Sequence, residues 1–304
     1  MQSFIGIGTV LICVFGGFAL HGGRFDVIWQ PVELLIIVGA GVGAVVLGNP
    51  PHVLKEMWLQ LRALTRRARR GEDFQRQLLL LMYELLQTAA GGLKALDAHV
   101  EAPHQSELFR RYPAILNEPK LLSFIVDNFR LMAMGKISAH ELEGVLDQEI
   151  EAIHEELLRP SKSLARIGEA MPGFGILAAV LGIVIAMRTL AEGADAAEIA
   201  VLVATAMVGT FLGVLFCYGV LDPLSNRMHQ LVDEEMQALE AVKVVLVTHV
   251  AGKPPLLAID AGRRLVQLSA KPSFARLETW INALKEGRDP ASIPRRRATD
   301  RLAA

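Results

Sequence analysis

Cysteine is nearly absent from this chain, and the two that occur, Cys13 and Cys217, both fall inside apolar runs. That placement fits neither a disulfide framework nor a cysteine-based zinc site. Aromatic residues make up 6% of a 304-residue chain that is 52% hydrophobic, with a mean hydropathy of +0.36. Apolar content this high with so few aromatics lies outside the range of an ordinary soluble domain. An excess of either charge is also missing: the net charge is −1, which points to no nucleic-acid partner. The eight histidines lie outside the apolar runs without ligand-like spacing, so no metal site is expected. Period-two alternation is almost missing, which argues against a sheet. No nucleophile–base pair or phosphate-binding loop stands out, so neither an enzyme nor a cofactor is expected.

Four apolar runs are present, at 4–20, 34–48, 171–190 and 199–220. The stretch MPGFGILAAVLGIVIAM at 171–187 is the pivotal one, with a proline near its entrance and no charge inside. At about 1.5 Å per residue, a helix of that length nearly crosses a hydrocarbon core of roughly 30 Å. Its small residues, Gly175, Ala178, Ala179, Gly182 and Ala186, leave one stripe almost without side chains. Such a stripe lets another helix approach closely in lipid. Gly209 and Gly213 repeat the spacing in the fourth run. The first run competes with a secretory leader, but residues 1–3 carry no positive charge and no A-x-A site follows, so it is read as a membrane helix. The second is entered through Pro31 and left at Asn49-Pro50-Pro51. Within it, Gly39-Ala40-Gly41-Val42-Gly43-Ala44 fits a dinucleotide fingerprint, but that motif needs a strand before it, and here close helix packing is the better reading.

Between the second and third runs the chain is charged, with helical apolar spacing. Leu78, Leu81, Met82, Leu85 and Leu86 make one apolar face, and Leu121, Phe124, Ile125, Asn128 and Phe129 another. Ser138 with Glu141 forms a capping-box pattern ahead of a helix bearing Leu142, Val145, Leu146, Ile150 and Ile153. The third run is read as starting at Met171 and the fourth as ending at Asp222-Pro223. The pattern stays helical through His249, and 266–284 reads as a last helix. All but two of the 31 Lys and Arg residues, Arg24 and Arg188, lie in 51–170 and 223–304. The positive-inside rule then puts both large segments and both termini in the cytoplasm. The expected fold class is all-α: a polytopic membrane protein with four transmembrane helices and a helical cytoplasmic domain. Residues 1–50 and 171–222 form membrane hairpins, 51–170 a cytoplasmic helical domain, 223–285 cytoplasmic helices and 286–304 a disordered basic tail.

No ionisable residue lies in the middle of any run, with Glu33 and Arg188 near ends. Such a residue at the midplane usually marks an ion path. Alone, then, the chain is a poor proton carrier that offers only the hydroxyls of Thr9, Thr205, Thr210 and Tyr218. Either it is structural, or a partner helix supplies a carboxylate.

Several stretches resemble the MotA family, the larger stator subunit of the bacterial flagellar motor. They are VFGGFALHGG at 14–23, QPVELLIIVGAGVGA at 30–44, MPGFGILAAVLGIV at 171–184, AMVGTFLGVLFCYGVLDPL at 206–224 and KPSFARLE at 271–278. The resemblance covers nearly the whole chain. It implies an inner-membrane homo-oligomer, a pentamer, around a MotB dimer whose membrane aspartates carry the ion, with torque delivered to the rotor protein FliG. Related energising subunits of the ExbB/TolQ type, and a passive membrane scaffold, are the rival readings. ExbB/TolQ chains usually have three spans and a different cytoplasmic layout.

By position, the resemblance makes Pro172 and Pro223 the two prolines that couple ion flow to movement, against the plain reading that each only shapes a helix end. Thr210 falls where the family has a threonine facing the ion path, against a bond back to the carbonyl one turn earlier. Tyr218 also matches, with an interfacial anchor as its competing role. Ala179 stands where sodium-driven relatives have a threonine; a methyl group coordinates nothing, so the expected ion is the proton. The family's rotor-facing arginine and acid fall at Ala89 and Asp97, so the acid is kept and the arginine is not, with Lys94 as a substitute cation. The basic run Arg66, Arg67, Arg69 and Arg70 is read as a topology determinant near anionic lipid.

Overall fold

A computed structural model describes residues 2–64, 71–135 and 137–288, with the side chains of 2–4 and 93–95 outside the description. The basic run at 66–70 and the tail from 289 onward therefore lie outside the described residues. Among the described residues every regular element is helical. In chain order these are α1 (Gln2–Leu20), α2 (Phe25–Ile28), α3 (Pro31–Gly48), α4 (Pro51–Leu64), α5 (Glu72–Ala90), α6 (Leu93–Val100), α7 (Glu107–Arg110), α8 (Pro113–Leu116), α9 (Pro119–Ala133), α10 (Ala139–Ala191), α11 (Ala196–Phe216), α12 (Asp222–Val250), α13 (Pro255–Arg264) and α14 (Phe274–Lys285). A π turn, Cys217–Leu221, joins α11 to α12.

Two sequence expectations about helix ends are corrected. Neither Pro172 nor Pro223 breaks a helix. α10 is one continuous element of 53 residues with Pro160 and Pro172 inside it, and Pro223 lies in the first turn of α12. A proline inside a helix removes one backbone bond and crowds the carbonyl four residues earlier, and packing on neighbours holds the helix together. The last helix, expected over 266–284, starts later. α13 ends at Arg264, and α14 starts afresh at Ser273, whose hydroxyl accepts a hydrogen bond from the Arg276 N–H (3.3 Å). The capping box is present: the Ser138 N–H donates to Glu141 Oε2 (2.9 Å), and the Glu141 N–H donates back to Ser138 Oγ (3.2 Å). That pairing starts α10, and the Ser138 hydroxyl and N–H hold the Glu141 carboxyl below its ordinary value.

Among the described residues three stretches are long and apolar enough to cross a membrane: Phe25–Gly48, Ala139–Ala191 and Ala196–Val250. Four were expected, and the first falls short of that length among the described residues. Ile5–Leu20 is a shorter apolar helix, which at 1.5 Å per residue reaches about 24 Å against a core of roughly 30 Å.

By packing, the chain divides into two compact units, Met1–Arg67 with His154–Asp233 and Ala68–Ile153 with Glu234–Ala304. The first unit contains the apolar helices. Its core joins Ile37, Ile167, Met171, Ala178, Val208, Leu212 and Cys217. Polar ties fix α3 and α4 to α10. Asn49 Nδ2 donates to Ser163 Oγ (2.7 Å), and Gln60 Nε2 to the Leu157 carbonyl (2.9 Å).

In the second unit the expected faces of α5 and α9 are buried as read, from Leu78 to Leu86 and from Leu121 to Phe129. On α10, Leu142, Leu146 and Ile150 are buried but Val145 is 46% exposed, off the stripe. α13 is seated by Asp260, buried between Arg263 (2.6 Å) and Arg264 (3.0 Å), while Arg263 also donates to the Pro272 carbonyl (2.8 Å). Burial alone would raise the Asp260 carboxyl. The two guanidinium groups outweigh it and hold the group below the ordinary carboxylate value. Its contribution to stability is therefore complete above that ordinary value and is lost as the pH falls through the lowered one. Asp260→Asn, which leaves Arg263 buried without its charge partner, is expected to cost about 3 kcal/mol. A lowered helix-melting temperature of the purified full chain in detergent checks this. The acid-side loss of stability seen in the parent should shrink in the variant.

Candidate functional site

The site is the seam between the apolar part of α10 and α11. The two helices run antiparallel through a turn at Gly193, which takes the left-handed region at φ +96°. Asp195 starts the return helix by accepting the Glu198 N–H at 2.8 Å. Along the seam the backbones nearly touch. A Cβ placed on Gly175 would lie 2.7 Å from the Gly209 carbonyl oxygen, and one on Gly213 would lie 2.6 Å from that of Met171. A Cβ on Gly182 would meet the Ala206 methyl at 2.7 Å. Ala178 (1% exposed) and Ala179 (9%) complete the contact. The stripe read from sequence is therefore filled within this chain, by its own fourth apolar run. α1 joins from the side, with Phe15 edge-on to Phe211 at 6.2 Å. Phe25, Trp29 and Leu34 line an apolar cavity of about 320 Å³ against Leu212 and Phe216.

The turns that the two prolines weaken lie at one end of this seam. Pro172 has no N–H for the Gly168 carbonyl and Pro223 none for that of Gly219, so each helix carries one missing rung. The α11–α12 junction answers by widening: the Asp222 N–H bonds back five residues to the Cys217 carbonyl, which makes the π turn. Gly168 packs directly on that turn, since a Cβ there would lie 3.2 Å from Leu221 Cβ and 3.8 Å from the Asp222 nitrogen. Nearby, the Ser225 hydroxyl donates to the Ser161 carbonyl (2.9 Å). The weakened turns of two long helices thus lie side by side, which the sequence signals only as two distant prolines.

The remaining candidates divide. Thr210 lies on the seam side of α11, its Cα 3.2 Å from a Cβ on Gly175. Thr9 and Thr189 bond back to carbonyls one turn earlier (2.8 and 3.0 Å), but among the described residues the Thr210 hydroxyl has no such partner. Tyr218, in the π turn, is 69% exposed. Glu33, placed near a span end by sequence, is buried on α3 at 9% exposure, and its Oε2 has no hydrogen-bond partner. In the second unit Ala89 lies in the last turn of α5 and Asp97 is exposed on α6, while the side chain of Lys94 lies outside the described residues. Ala89 lines a cavity of about 280 Å³ with Leu96, Met132, Ile137 and His249. Burial lowers the His249 imidazole below its ordinary value, against a bond with the Lys253 backbone that works the other way. Among the described residues no cluster of His, Cys, Asp and Glu suits a metal ion.

Comparison with known proteins agrees with this architecture. Residues 4–92 match the model of the motility protein A N-terminal family, and residues 120–241 that of the MotA/TolQ/ExbB proton channel family. The chain is 53% identical to chemotaxis protein LafT of Vibrio parahaemolyticus over 94% of its own length and 100% of that protein. It is 38% identical to motility protein A of Escherichia coli, over 94% and 96%. In fold it is similar to C. jejuni MotAB (TM-score 0.71, 15% identity, covering 90% of this chain and 98% of that one). It is also similar to the flagellar MotAB stator complex of Bacillus subtilis (TM-score 0.64, 23% identity, 91% and 98%).

The seam makes a paired prediction. Gly213→Val drives a side chain into the Met171 carbonyl and should reduce the folded membrane-embedded chain, at a cost of about 1–3 kcal/mol or more. Gly173→Ala, on the facing helix α10 where a Cβ meets nothing within 4 Å, should leave it unchanged. Thermal unfolding of the two purified variants separates the cases.

Proposed function

The chain belongs to the motility protein A family and is a flagellar stator subunit, and on that premise we propose how it turns ion flow into rotation. α1, α3 and the apolar parts of α10 and α11 cross the bacterial inner membrane, with the residues of 51–170 and 223–285, and both termini, in the cytoplasm. The Lys/Arg asymmetry supports this orientation. The chain is a homo-oligomer, a pentamer, around a MotB dimer, and it drives FliG. It works as a channel and torque subunit rather than as an enzyme.

The observation that carries the mechanism is the pairing of the two broken backbone ladders, with Gly168 against Leu221 and Asp222. Moving one charge through 100 mV releases about 2.3 kcal/mol, several times RT and enough to bias a two-state element. The apolar parts of α10 and α11, 171–187 and 199–216, hold no acid, so the moving carboxylate comes from the partner helix. Protonation removes its charge and lets it pass the apolar seam. Thr210 offers its free hydroxyl along that path. Ala179 offers no oxygen, so the ion is the proton rather than sodium. Displacement at the seam bends both helices where a rung is missing, at Pro172 and Pro223, and the long α10 and α12 carry it to the cytoplasmic helices. There Asp97 faces the rotor, with Lys94 in place of the cation that Ala89 lacks.

Pro172→Leu should restore the missing rung, stiffen α10 and abolish rotation while the complex with the partner still assembles. Rotation of tethered cells, measured beside co-purification of the partner, tests this. Normal rotation in that variant would refute the hinge.

A further inference from the structure

Glu33 is the one acid buried in the apolar helices among the described residues, and nothing in the coupling scheme uses it. On α3 the buried residues are Glu33, Ile37 and Gly41, spaced four apart on one stripe. That stripe faces α10 and α11: Ile37 lies in the core with Met171 and Ala178, and a Cβ on Gly41 would meet Met171 Cε and the Ile167 side chain. Asn49 bonds Ser163 further along, so α3 and α10 run antiparallel in a fixed register. Gly41 meets the Met171 side chain, and Gly213 its carbonyl oxygen. Eight residues back from Gly41, about 12 Å along the axis, Glu33 falls at the level of Ala179 on α10 and hence of Gly209 on α11, where a Cβ would meet Ala178 and Ala179. The sequence put this acid at the start of a span. α10 and α11 extend well past that start, so the same residue lies beside the middle of their apolar stretches.

Among the described residues no counter-charge serves it. Residues 170–187 of α10 and 199–221 of α11 contain no Asp, Glu, Lys, Arg or His. Arg24, flanking α2, is held by Asp26 (2.6 Å), and Arg188, at the far end of α10, by Glu192 (2.9 Å). The Gln30 amide donates to the Val27 carbonyl (2.9 Å). A buried carboxylate with neither partner nor counter-ion is costly in a membrane, and a bound proton removes that cost.

We infer that Glu33 is a proton-binding site within this chain, separate from the partner's carboxylate. Oε2 takes a proton from hydronium entering at the α2–α3 end, leaving water and a neutral acid, and gives it up to a carboxylate base supplied by the partner helix. This rests on the stator reading of the same seam, and the test separates the two.

Parent, Glu33→Gln and Glu33→Asp chains are expressed with the partner in cells lacking stators, and rotation is followed while the external pH is varied. Glu33→Gln keeps shape but cannot hold an exchangeable proton. It should lose most of its rotation while assembling normally, and Glu33→Asp should restore rotation with an altered pH profile. Parent-like rotation of Glu33→Gln at every pH overturns the inference and leaves the stator reading standing; a parent that does not rotate overturns the stator reading instead. Should Glu33→Gln fail to assemble, the parent complex in native membranes is treated with dicyclohexylcarbodiimide, which attacks protonated carboxyls from the apolar phase, and labelling is read by mass spectrometry. Labelling of Glu33 that quickens in acid supports the inference. Absent or pH-independent labelling overturns it.

Discussion

The closeness of α10 to α11 is the constraint on which the rest depends. Carbonyl oxygens of Met171 and Gly209 occupy space that any side chain on Gly213 or Gly175 would need. In lipid, helices gain nothing from excluding water, so contact of this kind is the main source of their cohesion. The seam fixes where the return helix runs and sets the level of every residue on it. It also brings the α11–α12 junction against Gly168. Apolar surface elsewhere is left largely uncovered, with 28% of the most apolar windows of Ala139–Ala191 and Ala196–Val250 buried within the chain. That surface suits lipid and neighbouring helices, as a subunit of a membrane assembly requires.

Two kinds of strength meet at the end of the seam. The helices are long and rigid there, and each is short of a backbone bond. A missing rung is affordable in a helix that its neighbours hold in place, and α10 stays continuous across Pro172 for that reason. It is also the cheapest place to bend. The π turn at Cys217–Leu221 records how the backbone accommodates Pro223. Since one turn packs on the other, a change in one helix is felt by its neighbour, which is what a coupling element needs.

Much of this was legible in the sequence, for local reasons. Capping at Ser138, the proline start at Pro31, and the faces of α5 and α9 follow from signals within a few residues of each other. So do the small residues of the seam, although their partner had to be found elsewhere in the chain. Misreadings came where a local signal met a non-local answer. Pro172 and Pro223 read as boundaries, because a proline's effect on its own helix is visible in sequence and the packing that overrides it is not. Val145 matched the helical spacing yet lies off the buried stripe. Glu33 read as terminal because a run shows where it begins, and its depth depends on how far other helices extend beside it. The rotor-facing set at Ala89, Asp97 and Lys94 came from resemblance alone, with no geometric signature of its own.

The central claim is that this chain and a single-span partner convert proton flow into rotation. The most direct measurement is rotation of tethered cells that carry both chains as their only stators, with the proton gradient collapsed in the presence and absence of sodium. The account predicts that rotation stops when the proton gradient is lost and that sodium does not restore it. Rotation sustained by sodium would contradict the proton assignment built on Ala179, and no rotation from a correctly assembled complex while the proton gradient is intact would contradict the account as a whole.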